Sequence, residues 1–310
     1  TTPPFGKVLA ANRGEIAVRI FRAGSELGIR TVGIYSKEDV SAAHRWKCDE
    51  AYLVNAETPV GAYLSVEEVI RICQEHGVDA VHPGYGFLSE SAALAEACVA
   101  ANITFIGPDA ETLRRFGDKN SARDAAVAAG VPVIPGSDGP VKTVDEAHAF
   151  CAEHGFPVMI KAAHGGGGRG MRVVRHEKEL KEAFTRASSE ALSSFGDGTV
   201  FIERLVPKAR HIEVQLLGDG QDVVHLYERD CTTQRRHQKV VEEAPARGLD
   251  PDTRQQIFDH STSLFRSVGY RNAGTAEFLV SGETGEFFFL EVNPRVQVEH
   301  GVSEQICGVD

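Results

Sequence analysis

The sequence predicts an open parallel α/β fold at its start and an α+β fold after it. Three observations carry this expectation. Strand and helix periodicities alternate through the first 118 residues, the pattern of parallel units joined by crossover helices. After residue 143 short apolar runs flank a tract of glycines. From residue 211 two long strand-like stretches fold back on themselves as hairpins, so antiparallel sheet replaces parallel sheet.

Taken in order, KVLAANRGEIAVRIFRAGSELGIRTVGIYS reads as strand, helix and strand. Ile16, Ile20, Gly24 and Leu27 share a helix face and Gly28 ends the helix. Ser65 and Glu68 form a capping box for a second helix that Gly77 stops. VDAVHPG is then a strand, SAALAEACVAA a helix and ITFIG a strand, which completes an N-terminal α/β domain over residues 1–118. A dinucleotide-binding reading fails here, because GxGxxG is absent and NRGE is a poor substitute. In the remainder, 119–310, TVDE caps a helix. FPVMIKAA, the glycines, GMRVV, a helix around 177–195 and TVFIERLV make a small α+β module. HIEVQLLGDGQDVVHLYERDC and GTAEFLVSGETGEFFFLEV are the two hairpins, with a helix between them.

The 310 residues have a formal charge of −11. That argues against nucleic acid or an anionic membrane surface as a partner and makes QRRHQK at 234–239 a local basic concentration. The six cysteines lack metal or redox spacing, which fits reduced thiols in a reducing compartment; the setting expected is the cytoplasm or, if the source is eukaryotic, the mitochondrial matrix. Cys231 reads as a buried structural thiol, and His44 and His76 as surface or satisfied core groups. Neither a membrane span nor a signal peptide is expected, and the missing initial Met reads as processing or trimming.

A turn centred on Thr284 puts Ser281 opposite Phe287, Leu279 opposite Phe289 and Glu277 opposite Glu291. Two facing carboxylates about 5 Å apart repel unless a cation lies between them. Mg²⁺ suits such hard oxygen ligands, with Asn293 as a third, while raised carboxyl pKa values on a bare solvated face are the alternative. LEVNPRVQVEH, read as one strand, puts Leu290, Val292, Pro294, Val296 and Val298 on an apolar face. Glu291, Asn293, Arg295, Gln297 and Glu299 lie on the other. HGGGGRGM at 164–171 lacks the GK[ST] and helix of a Walker A loop. It reads as a hairpin tip whose glycines let backbone N–H groups approach phosphate and let the tip act as a lid, with Lys161 placed to neutralise charge.

Eight strings, ANRGEIAVRI, HPGYGFLSE, GDK, IKAAHGGGGRGMR, HIEVQ, ERDCTTQRRHQKVVEEAP, NAGTAEF and EVNPRVQVEH, stand in the order of the biotin carboxylase family, which the chain resembles from end to end. The resemblance implies a pre-ATP-grasp α/β domain, then an ATP-grasp domain with a glycine-rich lid over about 133–204. It also implies carboxylation of biotin from ATP and bicarbonate, with Mg²⁺ or Mn²⁺. Carried over residue by residue, Lys119, Lys161, Gly167, Gly168, Met171, Glu203, Val206, His211, Gln234, His237 and Leu279 match nucleotide-side positions, and Glu277, Glu291 and Asn293 match metal ligands. Lys239, Arg295, Gln297 and Val298 match the bicarbonate side. Glu299 is implied as the base, with Arg295 and Lys239 as its catalytic partners and Arg295 stabilising the biotin anion. On a straight strand the metal and base ends would lie roughly 26 Å apart, a span that a bend at Pro294 would shorten.

TPVGAYL, FGDGT and YRNAGTAEFLV resemble the pyruvate carboxylase branch more than the acetyl-CoA or propionyl-CoA carboxylases. The implied partners are a biotinyl carrier domain or protein, and further copies of the chain through the N-terminal and C-terminal regions, with Arg22 and Glu26 on the N-terminal contact helix. The family continues beyond the position of Asp310, so a fragment lacking the C-terminal lobe is expected, and it follows EH with TVTE where this chain has Gly301, Val302, Ser303 and Glu304. Rival readings are a carbamoyl-phosphate synthetase-like ligase, which lacks QVEH and QRRHQK, and an inactive nucleotide-binding or assembly module, which would need neither Glu299 nor Lys239.

Overall fold

The structure is a computed structural model that describes residues 5–162, 171–195, 197–236 and 238–310. The glycines at 165–168, Gly167 and Gly168 among them, and His237 lie outside the described residues. The chain divides into two compact units, Thr1–Val131 with Ile212–Glu277 and Glu291–Asp310, and Pro132–His211 with Phe278–Leu290.

The first unit begins with β1 (Lys7–Ala10), α1 (Gly14–Glu26), β2 (Arg30–Tyr35), β3 (Glu50–Leu53), α2 (Val66–His76), β4 (Ala80–His82), α3 (Ala92–Ala100) and β5 (Thr104–Phe105). The strands form one parallel sheet in the order β3-β2-β1-β4-β5. Its strands are apolar on both sides because both faces are covered. Leu9, Val32, Ile34 and Val81 pack with Val69 and Ile72 of α2 and Leu94 of α3, and Ala10 packs with Ile16, Ile20 and Phe21 of α1. Burying each such aliphatic side chain stabilises the fold by about 1.5–3 kcal/mol. Of the caps expected for α2, the Ser65 hydroxyl accepts from Glu68 N at 3.3 Å and Gly77 ends the helix at φ 63°, where a Cβ would strain the backbone, but the Glu68 carboxylate pairs with Arg71 instead of closing the capping box.

Two helices absent from the sequence reading follow, α4 (Ala110–Gly117) and α5 (Lys119–Ala128). Each starts at an aspartate whose carboxylate accepts a backbone N–H at 2.8 Å, Asp109 from Thr112 and Asp118 from Ser121.

The second unit holds α6 (Val144–His154), β6 (Val158–Ala162), β7 (Met171–Val174), α7 (Glu177–Phe195) and β8 (Val200–Arg204). The strands form an antiparallel sheet, β7-β6-β8, with Val158, Ile160, Val174 and Ile202 packed against Ala147 of α6 and Leu180 and Phe184 of α7. The helix at 177–195 and the Thr143 cap of α6 are as the sequence predicts.

The remaining elements are β9 (Ala209–Asp219), β10 (Val223–Arg235), β11 (Gln238–Glu243), α8 (Pro251–Ser267), β12 (Arg271–Ser281), β13 (Phe287–Asn293) and α9 (His300–Cys307). A second five-stranded sheet runs β11-β10-β9-β12-β13. Both expected hairpins are present, β9–β10 and β12–β13, and β11 is an unexpected second partner of β10.

Two expectations are corrected. At the β12–β13 turn, Ser281 N donates to Glu286 O at 2.8 Å and Gly285 N to Ser281 O at 3.0 Å. Ser281 therefore faces Glu286, not Phe287. The cause is a bulge at Gly285, whose φ of 74° adds one residue to the returning strand. Consistently, the Phe278 ring, not Leu279, packs edge-on against Phe287 and Phe289. The second correction concerns LEVNPRVQVEH. Strand β13 stops at Asn293, residues 298–299 turn, and α9 begins at His300. Pro294 cannot donate to a ladder, and the supposed apolar face is broken, with Leu290 39% and Val298 65% exposed. Among the described residues no helix is long and apolar enough to cross a membrane.

Candidate active site

Strand β9 is buried on both faces near its middle. Ile212, Val214 and Leu216 fill one side and Glu213 and Gln215 the other. A buried carboxylate requires cationic partners, and Glu213 has two. Arg229, directly opposite it on β10, donates Nε to Glu213 Oε1 at 2.6 Å, and Lys239 of β11 reaches Glu213 Oε2.

Lys239 Nζ also donates to Glu277 Oε1 at 2.8 Å and to Glu299 Oε1 at 2.7 Å, so one ammonium holds carboxylates from β9, β12 and the turn before α9. The span of roughly 26 Å that a straight strand would give is shortened, in the direction expected of a bend at Pro294. Strand β13 ends at Asn293, and the chain folds back until Glu299 shares a hydrogen-bond partner with Glu277. Burial works against the Lys239 ammonium, but the charges of Glu213 and Glu277 outweigh it and raise its pKa. Burial likewise pushes the Glu299 carboxyl up, yet the hydrogen bond and charge of Lys239 more than offset this and hold it below the usual range. Glu299 is therefore ionised at neutral pH. The neighbouring Glu242 is shifted upward by burial and by the charges of Glu299 and Glu213. Burial also pushes the Cys231 thiol up, which leaves it protonated and inert, as a structural thiol should be.

Glu277 Oε1 further accepts from Asn293 Nδ2 at 2.7 Å and Gln297 Nε2 at 3.1 Å. Arg295 is fixed at two points, by Asn293 Oδ1 at 2.8 Å and Glu90 at 2.6 Å. Asn293 and Glu277 are thus in contact, while the corrected hairpin register no longer sets Glu291, exposed on β13, directly opposite Glu277 as expected. Glu277, Glu291 and the Asn293 amide oxygen are hard oxygen donors of the kind a divalent cation takes, and here that amide oxygen accepts from Arg295 at 2.8 Å while Asn293 Nδ2 faces Glu277.

The nucleotide-side residues are divided between the two units. In the second, Lys161 pairs with Glu203, Met171 is exposed, Val206 is buried, and His211 and Leu279 are partly buried. In the first, Lys119 is the exposed first residue of α5, and the Gln234 amide donates to Cys231 O at 3.0 Å. Sequence reading missed Glu213, Arg229, Glu90 and Ser303. The available signal was Glu213 and Gln215 two apart within an apolar strand, a second buried face that needs a buried cation.

A family profile described as the biotin carboxylase N-terminal domain matches residues 4–113. Another, described as the ATP-binding domain of the carbamoyl-phosphate synthase L chain, matches residues 118–310. A solved structure of the biotin carboxylase subunit of pyruvate carboxylase superposes with a TM-score of 0.88 at 48% identity, covering 99% of this chain and 68% of that one. The chain belongs to the biotin carboxylase family. The biotin carboxylase domain dimer of Hydrogenobacter thermophilus 2-oxoglutarate carboxylase, solved with MgADP, ADP and bicarbonate, is 45% identical with a TM-score of 0.81, over 99% of this chain and 67% of that one. Mitochondrial pyruvate carboxylase of Mus musculus is 57% identical over 309 residues, 99% of this chain and 26% of its own length. This chain therefore spans about a quarter of that curated relative. Across the biotin carboxylase relatives the coverage is continuous, so both the parallel α/β part and the ATP-grasp part described above belong to this family.

Proposed function

We propose that this chain carries the ATP- and bicarbonate-dependent carboxylation of biotin through carboxyphosphate. The observation that supports it most is the Lys239 ammonium bound to Glu213, Glu277 and Glu299 beside Arg295 and Gln297. Mere nucleotide binding needs no such buried base and cation pair.

Bicarbonate would lie against Lys239, Arg295, Gln297 and the backbone of Val298, where cations and an amide N–H stabilise its charge. The Glu299 carboxylate takes the bicarbonate proton. Its basicity rises when Lys239 turns from it to the incoming anion, because the interactions that hold its pKa down are then shared. The deprotonated oxygen attacks the γ-phosphorus of ATP, the bond to ADP breaks, and carboxyphosphate forms. Carboxyphosphate divides into CO₂ and phosphate. Phosphate removes the ureido N–H proton of biotin, the nitrogen attacks CO₂, and Arg295 stabilises the intervening anion. Glu277, Glu291 and Asn293 would hold Mg²⁺ or Mn²⁺, which neutralises phosphate charge when bound. On the nucleotide side we assign Lys119, Lys161, Gly167, Gly168, Met171, Glu203, Val206, His211, Gln234, His237 and Leu279. The Lys161–Glu203 pair implies that nucleotide phosphate competes with Glu203 for Lys161.

The similarity to pyruvate carboxylases supports pyruvate as final acceptor, a biotinyl carrier as partner and an oligomeric enzyme. It also supports a cytoplasmic or mitochondrial setting. Arg22 and Glu26, both exposed and 3.4 Å apart on α1, would lie at the contact between copies. A free-biotin assay that follows bicarbonate-dependent ATP cleavage tests the reading. Cleavage that ignores bicarbonate contradicts it.

A further inference from the structure

Arg229 is completely buried, yet none of the roles above uses it. Its guanidinium ties together four side chains from three segments. Nε donates to Glu213 at 2.6 Å, one terminal nitrogen to Gln215 at 2.9 Å and Ser303 at 2.8 Å, and the other to Gln297 Oε1 at 2.9 Å. A guanidinium has five N–H donors and no acceptor, so it dictates which end of an amide may face it. Gln297 must turn its oxygen toward Arg229. Its NH₂ then points the other way, to Glu277 Oε1 at 3.1 Å and toward the side where Lys239 holds Glu277 and Glu299. Glu213 works in parallel, because one of its oxygens binds Arg229 and the other binds Lys239.

We infer that Arg229 is a positioning residue for the oxyanion side of the reaction, orienting Gln297 as a hydrogen-bond donor and, through Glu213, fixing the Lys239 ammonium. The bond to Ser303 anchors α9 to this frame and explains how the chain keeps its pocket support with Gly301–Glu304 in place of TVTE. Ser303 supplies the hydroxyl acceptor.

The inference rests on the proposed bicarbonate chemistry, and its test separates the two. Arg229→Lys keeps a cation for Glu213 but lacks the planar fork that reaches Gln297 as well. In active enzyme it should raise KM for bicarbonate about tenfold or more while the ATP affinity stays within about twofold, the scale of losing a charge-assisted hydrogen bond. In a Gln297→Ala background the same change should add less than about twofold, because the two act through one contact. Ser303→Ala, a gentler change at the same guanidinium, should raise the bicarbonate KM about two- to fivefold and serves if Arg229→Lys fails to fold. Wild-type enzyme with no bicarbonate-dependent cleavage would overturn both readings. An unchanged bicarbonate KM in Arg229→Lys, or in Ser303→Ala where the former does not fold, would overturn this one alone, as would full additivity with Gln297→Ala.

Discussion

At Lys239 one ammonium meets three carboxylates, so its removal leaves Glu213, Glu277 and Glu299 with less compensating charge. The Glu299 carboxyl is held below its unfolded value by Lys239. The stability it contributes is present above about pH 4.3, the ordinary glutamate value, and is lost as pH falls through the lower folded value. Lys239→Gln should raise the folded value and reverse part of this. The variant should unfold at a higher pH in an acid titration followed by circular dichroism, and should lose about 3 kcal/mol at pH 7, as when one partner leaves a buried ion pair. An unchanged acid midpoint would contradict the assignment. Glu291→Gln keeps shape but removes a charge from the proposed metal set. Magnesium binding by calorimetry should weaken while thermal stability changes little, because Glu291 is exposed. Magnesium binding equal to wild type would count against the three-ligand set.

At the scale of elements, the caps and periodicities read from sequence hold where a local signal decides the outcome. Ser65 and Gly77 delimit α2, Thr143 starts α6, and both long hairpins form. What escaped was decided by nonlocal or competing signals. The alternation of Val292, Val296 and Val298 imitates a strand, but Pro294 removes a donor and Gly301, Val302 and Ser303 are weak helix formers, so α9 exists because it is anchored at Ser303 and Glu304. Gly285 displaced the β12–β13 register by a bulge that composition alone does not announce. The candidate residues themselves were legible as motifs, whereas the meeting of Glu277 with Glu299 at Lys239 required the chain to turn after Asn293. One element can be improved: a Cβ at Gly301 would meet nothing within 4 Å, and the residue lies inside α9 at ordinary helical φ. Gly301→Ala should stabilise the protein by about 0.4–1 kcal/mol in thermal denaturation, and a loss of stability would show that the glycine is needed.

Across the whole molecule, a parallel sheet buried on both faces supplies a rigid N-terminal part, and a second sheet gathers charged groups from β9, β10, β11 and β12 around one interior cluster. The second unit carries Lys161 and Glu203, the pair assigned to nucleotide. The central claim is that the buried cluster serves bicarbonate and that Glu299 is its base. Glu299→Gln keeps size and one hydrogen-bond acceptor for Lys239 but cannot take a proton. The most direct measurement compares bicarbonate-dependent ATP cleavage and ATP affinity for this variant and wild type on matched preparations of active enzyme. The account predicts near-normal ATP affinity with cleavage reduced roughly 10²–10⁴-fold, the usual worth of a positioned general base. Cleavage at the wild-type rate would contradict it.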